Sequence, residues 1–299
     1  MTLVDRTPRR IGDLQPVGPL AFGTWRFTNT DLAHRRDLVA AALDHGLNLF
    51  DTADVYGLDW NGSGFGSVES ALGEVLARDP GLRARIVLAT KGGIRPPTPY
   101  DSSPEWIRRA CEDSLRRLGV DHVDIYQIHR PDLFAHPAEV AGILTDLHNE
   151  GKIRYVGVTN FDSRQFETLA AHLPFPIVSS QFQYSVVDLE PLRDGTFDTV
   201  LKNGVQSMAW SPLAGGRVAT GRDIPVGLIE CLDRLAEREG VDRATVALAF
   251  VLAHPSRPIA ILGSQRTERI AAATRALSIR LDRADVYAIV QESDGRPLP

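Results

Sequence analysis

An acid, a phenol, an ammonium and an imidazole punctuate the first half of this 299-residue chain: Asp51, Tyr56, Lys91 and His129. Asp51 and Tyr56 share the stretch Asp51-Thr52-Ala53-Asp54-Val55-Tyr56-Gly57. Lys91 lies in Thr90-Lys91-Gly92-Gly93, and His129 in Tyr126-Gln127-Ile128-His129-Arg130-Pro131. Each stretch follows a short apolar run that reads as a β-strand. The set suits proton transfer to or from an oxygen, with the tyrosine as its unusual member. A phenol alone is a poor acid, with a pKa of about 10. A lysine held nearby lowers that value, and a carboxylate fixes the lysine.

Such groups need elements that bring them together. Short runs rich in Val, Ile, Leu and Ala mark strands near 18–24, 47–51, 86–90, 123–129, 154–159, 177–182, 205–210 and 258–262. Most are continuous apolar runs, as expected of parallel strands covered on both faces. Amphipathic stretches lie between them at 31–45, 68–78, 104–118, 137–150, 163–172, 227–239, 242–253, 268–276 and 282–292, the last an added C-terminal helix. In 104–118, Ile107, Cys111, Ser114, Leu115 and Leu118 share one stripe at helical spacing, with Ser103 as N-cap, Pro104 at the first turn and Gly119 after the end. Ser67 is positioned to cap the helix over 68–78. Alternating strand and helix implies a parallel sheet. Eight rounds predict a parallel (β/α)8 TIM barrel in one domain spanning 1–299, with a hairpin from 5–17 closing the barrel floor. The longer loops fall at 57–66, 93–103, 183–200 and 213–226.

Composition narrows the function classes. The net charge is -5 with no basic block, which argues against nucleic acid as a partner. No run of about 18 apolar residues exists to span a membrane, and the polar N-terminus lacks a signal-peptide core. Two cysteines, Cys111 and Cys231, make no disulfide framework, and a reducing cytoplasm is the simplest setting. The eight histidines show no metal-ligand spacing, so no metal site is expected. Gly62-Ser63-Gly64-Phe65-Gly66 follows no strand and fails the phosphate-loop spacing; it reads as a loop at the substrate mouth. No G-x-S-x-G element supports a serine hydrolase.

Five segments then occur in one order, each after a predicted strand: FDTADVYG, ATKGG, YQIHRPD, GVTNF at 157–161 and AWSPLAGG at 209–216. Over residues 17–276 the chain resembles an aldo-keto reductase. The resemblance implies reduction of aldehydes or ketones, or the reverse on sugars and other alcohols, with a nicotinamide cofactor bound without a Rossmann domain. Carried over position by position, Tyr56 is the general acid, Lys91 lowers its pKa, Asp51 pairs with Lys91, and His129 donates to the carbonyl oxygen. Physics agrees, because hydride addition builds charge on oxygen where placed donors lower the barrier. Taken singly, Asp51 and Lys91 read equally well as a structural ion pair and Tyr56 as a pocket-lining aromatic, and a satisfied core histidine is the commoner role for a lone His129.

The resemblance extends to cofactor contacts. Thr159, Asn160 and Gln181 would bond the nicotinamide carboxamide, and Trp210 would stack on its ring. Ser211, Leu213 and Gly215 would touch the pyrophosphate, with Gly23 and Thr24 at the end of the first strand also beside the cofactor. After the eighth strand come Gly263, Ser264, Gln265, Arg266 and Thr267, with Thr267 placed to cap the next helix and the backbone before it placed to face a cofactor phosphate. Arg269 matches the family arginine that meets an adenosine 2′-phosphate, and Arg266 could assist. A guanidinium suits phosphate as a forked donor, so NADP(H) is favoured over NAD(H). Ala272-Ala273 stands where the family often has Glu-Asn, so adenine recognition by that pair is missing. Trp25, Phe27, Trp60 and loop 94–102 are read as shaping the pocket of a small carbonyl or alcohol substrate. Two rivals remain: a non-catalytic nicotinamide-binding regulatory module on the same barrel, and a Schiff-base aldolase using Lys91. Asp51 opposes the aldolase reading by keeping that lysine protonated.

Overall fold

The computed structural model describes residues 2–299. Eight strands follow one another around a closed parallel barrel: β1 (Leu20–Gly23), β2 (Leu49–Asp51), β3 (Val87–Gly92), β4 (Val123–Ile128), β5 (Ile153–Thr159), β6 (Ile177–Gln183), β7 (Gln206–Trp210) and β8 (Ile259–Leu262). Closure comes from β8 pairing with β1, Leu20 opposite Ala260 and Phe22 opposite Leu262. Each connection between strands contains a helix, as parallel neighbours require. In Pro104–Leu118 the Ser103 hydroxyl accepts the Trp106 N–H at 3.3 Å, and Gly119 ends the helix in the left-handed region. Its stripe of Ile107, Cys111, Ser114, Leu115 and Leu118 is buried.

Strand alternation sorts the core into two parts. Phe22, Phe50, Leu88, Tyr126, Val156, Phe182 and Leu262 belong to the large outer core beneath the helices. Ala21, Leu49, Val87, Ala89, Ile125, Met208 and Ile259 form a separate inner cluster. The same alternation places chemistry above that inner layer. Asp51 lies two residues past Leu49, Lys91 two past Ala89, and Gln127 and His129 two and four past Ile125. Register agrees: Asp51 is opposite Ala89, Lys91 opposite Gln127, and Thr159 opposite Gln181. The barrel interior is therefore apolar below and polar at its C-terminal rim.

The N-terminal segment closes the other end. Arg9 and Val17 form an antiparallel bridge, and Ile11, Leu14 and Val17 join the inner cluster. The Arg9 side chain is 1% exposed and donates to the carbonyl oxygens of Arg257 and Pro258 at 2.9 and 3.4 Å. The predicted hairpin is thus a single bridge pair bearing a plug.

Three local expectations differ. Region 183–200 is not one loop: it holds a 3-10 turn at Glu190–Leu192 and the start of helix Thr196–Asn203. Within 213–226, Arg217–Thr220 makes one helical turn. The N-cap of Ser67–Arg78 is Gly66, at φ 79, and Ser67 is the first helical residue. No helix among the described residues is long and apolar enough to cross a membrane.

Candidate active site

Lys91 is the centre of the rim. Its fully buried ammonium donates to Asp51 Oδ2 at 2.7 Å, to the Thr52 carbonyl at 2.9 Å and to Tyr56 Oη at 3.0 Å. Three acceptors match its three donors. Asp51 Oδ1 accepts from Gln181 Nε2 at 2.9 Å and Gln127 Nε2 at 3.2 Å. Gln127 in turn accepts the Thr159 hydroxyl at 3.2 Å. Tyr56 sits on the loop after β2, where Gly57 follows at φ 110, a backbone state that glycine permits. The His129 ring lies edge-on to Tyr56, with ring centroids 5.9 Å apart. His129 Nδ1 is buried without a hydrogen-bond partner.

Charge follows from this packing. Burial opposes the Lys91 charge, but Asp51 and Tyr56 outweigh it and hold the ammonium above its usual pKa. Burial pushes the Tyr56 phenol up; Lys91 pulls it down, while Asp51 and Asp59 add to the rise. The expected lowering by lysine is present, but burial exceeds it, so the phenol keeps its proton. Burial, with Lys91 and Arg130 nearby, drives His129 well below the ordinary imidazole pKa, leaving it neutral with one N–H. The site therefore offers an O–H donor and an N–H donor above an ion pair. It can protonate an oxygen and stabilise the phenolate left behind.

A second polar layer lies behind β3. Glu69, fully buried, accepts from the Thr90 hydroxyl and from Arg117 Nε at 2.7 Å. Burial, with Glu69 nearby, pushes the Asp54 carboxyl well above the usual range, and both its oxygens lack partners. Gln127, Glu69 and Arg117 had no role in the sequence reading. Gln127 alone carried a signal, as the polar residue alternating between inward Ile125 and His129.

The cofactor candidates form a strip over β5 to β8. Asn160, at φ 62, accepts the Trp210 indole N–H at 2.9 Å and donates to the His129 carbonyl at 3.1 Å. It ties three predicted positions together. Thr159 and Gln181 are nearly fully buried, and their bonds serve Asp51 and Gln127. Past Trp210, Ser211, Ala214, Gly215 and Gly216 all take positive φ, and Leu213 lies among them. At Gly215, Gly216 and Gly263 a Cβ would meet nothing within 4 Å, leaving a cradle open to a close ligand. The Gln265 side-chain oxygen is buried without a partner. Arg266 is engaged by Glu268 at 2.6 Å, whereas Arg269 is exposed and makes no ion pair among the described residues. Thr267 is the first residue of its helix; Arg266 holds the N-cap position. Gly23 and Thr24 are buried, and the Thr24 hydroxyl donates to the Asp51 carbonyl at 3.1 Å. This strip fits an extended dinucleotide by its open glycine cradle and its unpaired cation.

The aromatic candidates divide. Trp25 and Trp60 stand at the rim, 37% and 46% exposed, edge-to-face at 5.5 Å. Phe27 does not join them. It is fully buried, edge-on to Phe22 at 5.9 Å, because the turn closed by Phe27 N–H on the Thr24 carbonyl points the ring inward. Its assignment to the pocket is corrected to the outer core.

Comparison with known proteins agrees with this geometry. The 6-dehydroglucose reductase of Novosphingobium aromaticivorans is 45% identical over 288 residues, covering 95% of this chain and 94% of that protein. The 6-dehydroglucose reductase of Agrobacterium fabrum is 33% identical, covering 96% and 97%. The solved glycerol dehydrogenase of Gluconobacter oxydans superimposes with a TM-score of 0.85 at 26% identity, over 98% of this chain and 97% of that one. The model describing the aldo/keto reductase family matches residues 19–294. A closed eight-stranded barrel with this rim, and matches of that extent, make the chain an oxidoreductase belonging to the aldo/keto reductase family.

Proposed function

We propose that the protein is an NADPH-dependent reductase of aldehydes, with sugar-derived aldehydes as its substrates, working in a reducing cytoplasm. The observation that carries this reading is the buried Asp51–Lys91–Tyr56 chain, 2.7 and 3.0 Å long in its two links, beside a neutral His129. The sugar preference follows the 6-dehydroglucose reductases at 45% and 33% identity.

When bound, NADPH supplies the hydride. The chain's own residues do the rest. His129 donates its N–H to the carbonyl oxygen and orients it. Tyr56 holds a proton at neutral pH and releases it to that oxygen as charge develops there. Lys91 stabilises the resulting phenolate, and Asp51 keeps Lys91 charged. Gln181, whose side-chain oxygen accepts no bond among the described residues, and Asn160, whose amide is fixed by Trp210 and the His129 carbonyl, would hold the carboxamide, and Trp210 would cover the ring. Ser211 to Gly216 would cradle the pyrophosphate. Arg269 would meet the 2′-phosphate, and Arg266 would contribute only by leaving Glu268.

The test is a panel of sugar and simple aldehydes followed at the NADPH absorbance band, repeated with NADH. Oxidation faster with NADPH supports the reading. Tight NADPH binding with no turnover on any aldehyde would favour a non-catalytic nicotinamide-binding module.

A further inference from the structure

The rim holds two charged groups that the proton-transfer set does not use. Arg26, after β1, lays its guanidinium 4.1 Å from the centre of the Trp60 ring and 6.0 Å from that of Trp25. Its one protein hydrogen bond is Nη2 to the Gly215 carbonyl at 3.1 Å. Burial lowers its pKa, and it makes no ion pair among the described residues. Asp59 engages Trp25 instead. Its two oxygens accept the Trp25 indole N–H at 3.1 and 3.0 Å, and its charge reaches Tyr56. The Thr28 hydroxyl bonds the Trp60 carbonyl at 2.7 Å, so the two rim loops are tied. Two indoles set edge-to-face, a forked donor stacked on one of them and a carboxylate acceptor bonded to the other therefore share one rim without an ion pair between the charges.

Each part selects the same chemistry. Exposed indole faces take the apolar C–H face of a ring or chain. The guanidinium fork matches two adjacent oxygens. A carboxylate accepts hydrogen bonds from hydroxyls and repels an anionic substrate. Opposite charges set apart at the mouth suit a neutral molecule rich in hydroxyls. We infer that Arg26 and Asp59 are specificity residues that read the hydroxyls of a neutral polyhydroxylated aldehyde lying across Trp25 and Trp60. This rests on the reductase reading and adds the residues that choose among its substrates.

The test compares D-erythrose with butanal, two four-carbon aldehydes that differ in hydroxyls, in the full chain with NADPH. The variants are Asp59→Asn, which keeps an acceptor for Trp25, and Arg26→Met, which keeps a long stem over Trp60. The readout is the ratio of kcat/KM for erythrose over butanal. A fall in that ratio of about fivefold or more in both variants supports the inference, since one hydrogen bond to a charged group is worth at least about that factor. A smaller change in either variant overturns it, and equal losses on both aldehydes would reduce the pair to a structural clasp. Erythritol binding, followed by tryptophan fluorescence, needs no turnover. Saturable quenching in the wild type that weakens about fivefold or more in both variants supports the platform even where wild type reduces neither aldehyde, an outcome that counts against the reductase reading alone. No quenching, or quenching the variants leave unmoved, overturns it.

Discussion

Replacing Asp51 by Asn is the sharpest probe of the rim, because the shapes match and only charge and donors change. Asp51 accepts on both oxygens: Lys91 on Oδ2, Gln127 and Gln181 on Oδ1. An asparagine must turn its NH2 toward one of these sets, so a donor meets a donor in either orientation. Lys91, fully buried, also loses the one carboxylate it pairs with among the described residues. Breaking a buried ion pair from one side costs about 3–5 kcal/mol. With about 2.1 cal/mol/K of unfolding entropy per residue over 299 residues, that is about 5–8 °C in Tm. Adding Lys91→Met to Asp51→Asn removes the stranded ammonium, so the double variant should be less destabilised than the two single changes together by about 2 kcal/mol or more. Calorimetry on the four proteins measures this cycle. A Tm loss below about 2 °C in Asp51→Asn, or additive losses in the double variant, would refute the view that one buried charge holds the other.

Tyr56→Phe should cut kcat/KM for aldehyde reduction by about 100- to 10,000-fold while NADPH affinity, by fluorescence titration, stays within about threefold; retained turnover removes the phenol from the reaction. Arg269→Ala should raise the KM for NADPH by about tenfold or more and leave NADH within about twofold; equal shifts would show that no 2′-phosphate is met there. His254, stacked on Phe197 at 3.6 Å, is held by burial at a pKa of about 4. Below about pH 6.5 an unfolded chain takes up the proton that the native ring refuses, so this contribution to stability is lost as pH falls from about 6.5 to 4. Allowing for its partial exposure the loss is on the order of 1–3 kcal/mol, and denaturant titrations should show a shallower acid slope in His254→Gln. Phe27→Ala should cost about 3–5 kcal/mol of stability and Trp60→Ala under about 1, and the reverse order would return Phe27 to the pocket.

Sequence made the barrel legible because eight short apolar-rich runs, most of them continuous, alternated with stripes at helical spacing. It made Asp51, Tyr56, Lys91 and His129 legible because rare chemistry followed strand ends. What it hid has physical reasons. Helix Thr196–Asn203 spans about two turns, too few for its period to stand out. Phe27 lies beside Trp25 in sequence, but a turn, not strand alternation, decides which way its ring points. Gln127 carries no reactive group, so its bonds to Asp51 and Thr159 appear only once the register is known. The engagement of Arg266 by Glu268 is likewise a contact that spacing alone does not reveal.

Ile11, Leu14 and Val17 pack beneath the strands against Leu49, Val87 and Ile125, so the filled interior of the barrel is dry from below as well as from its walls. Losing that plug would wet the inner apolar layer on which the polar rim rests, so the N-terminal segment supports the chemistry from the opposite end of the molecule without touching it.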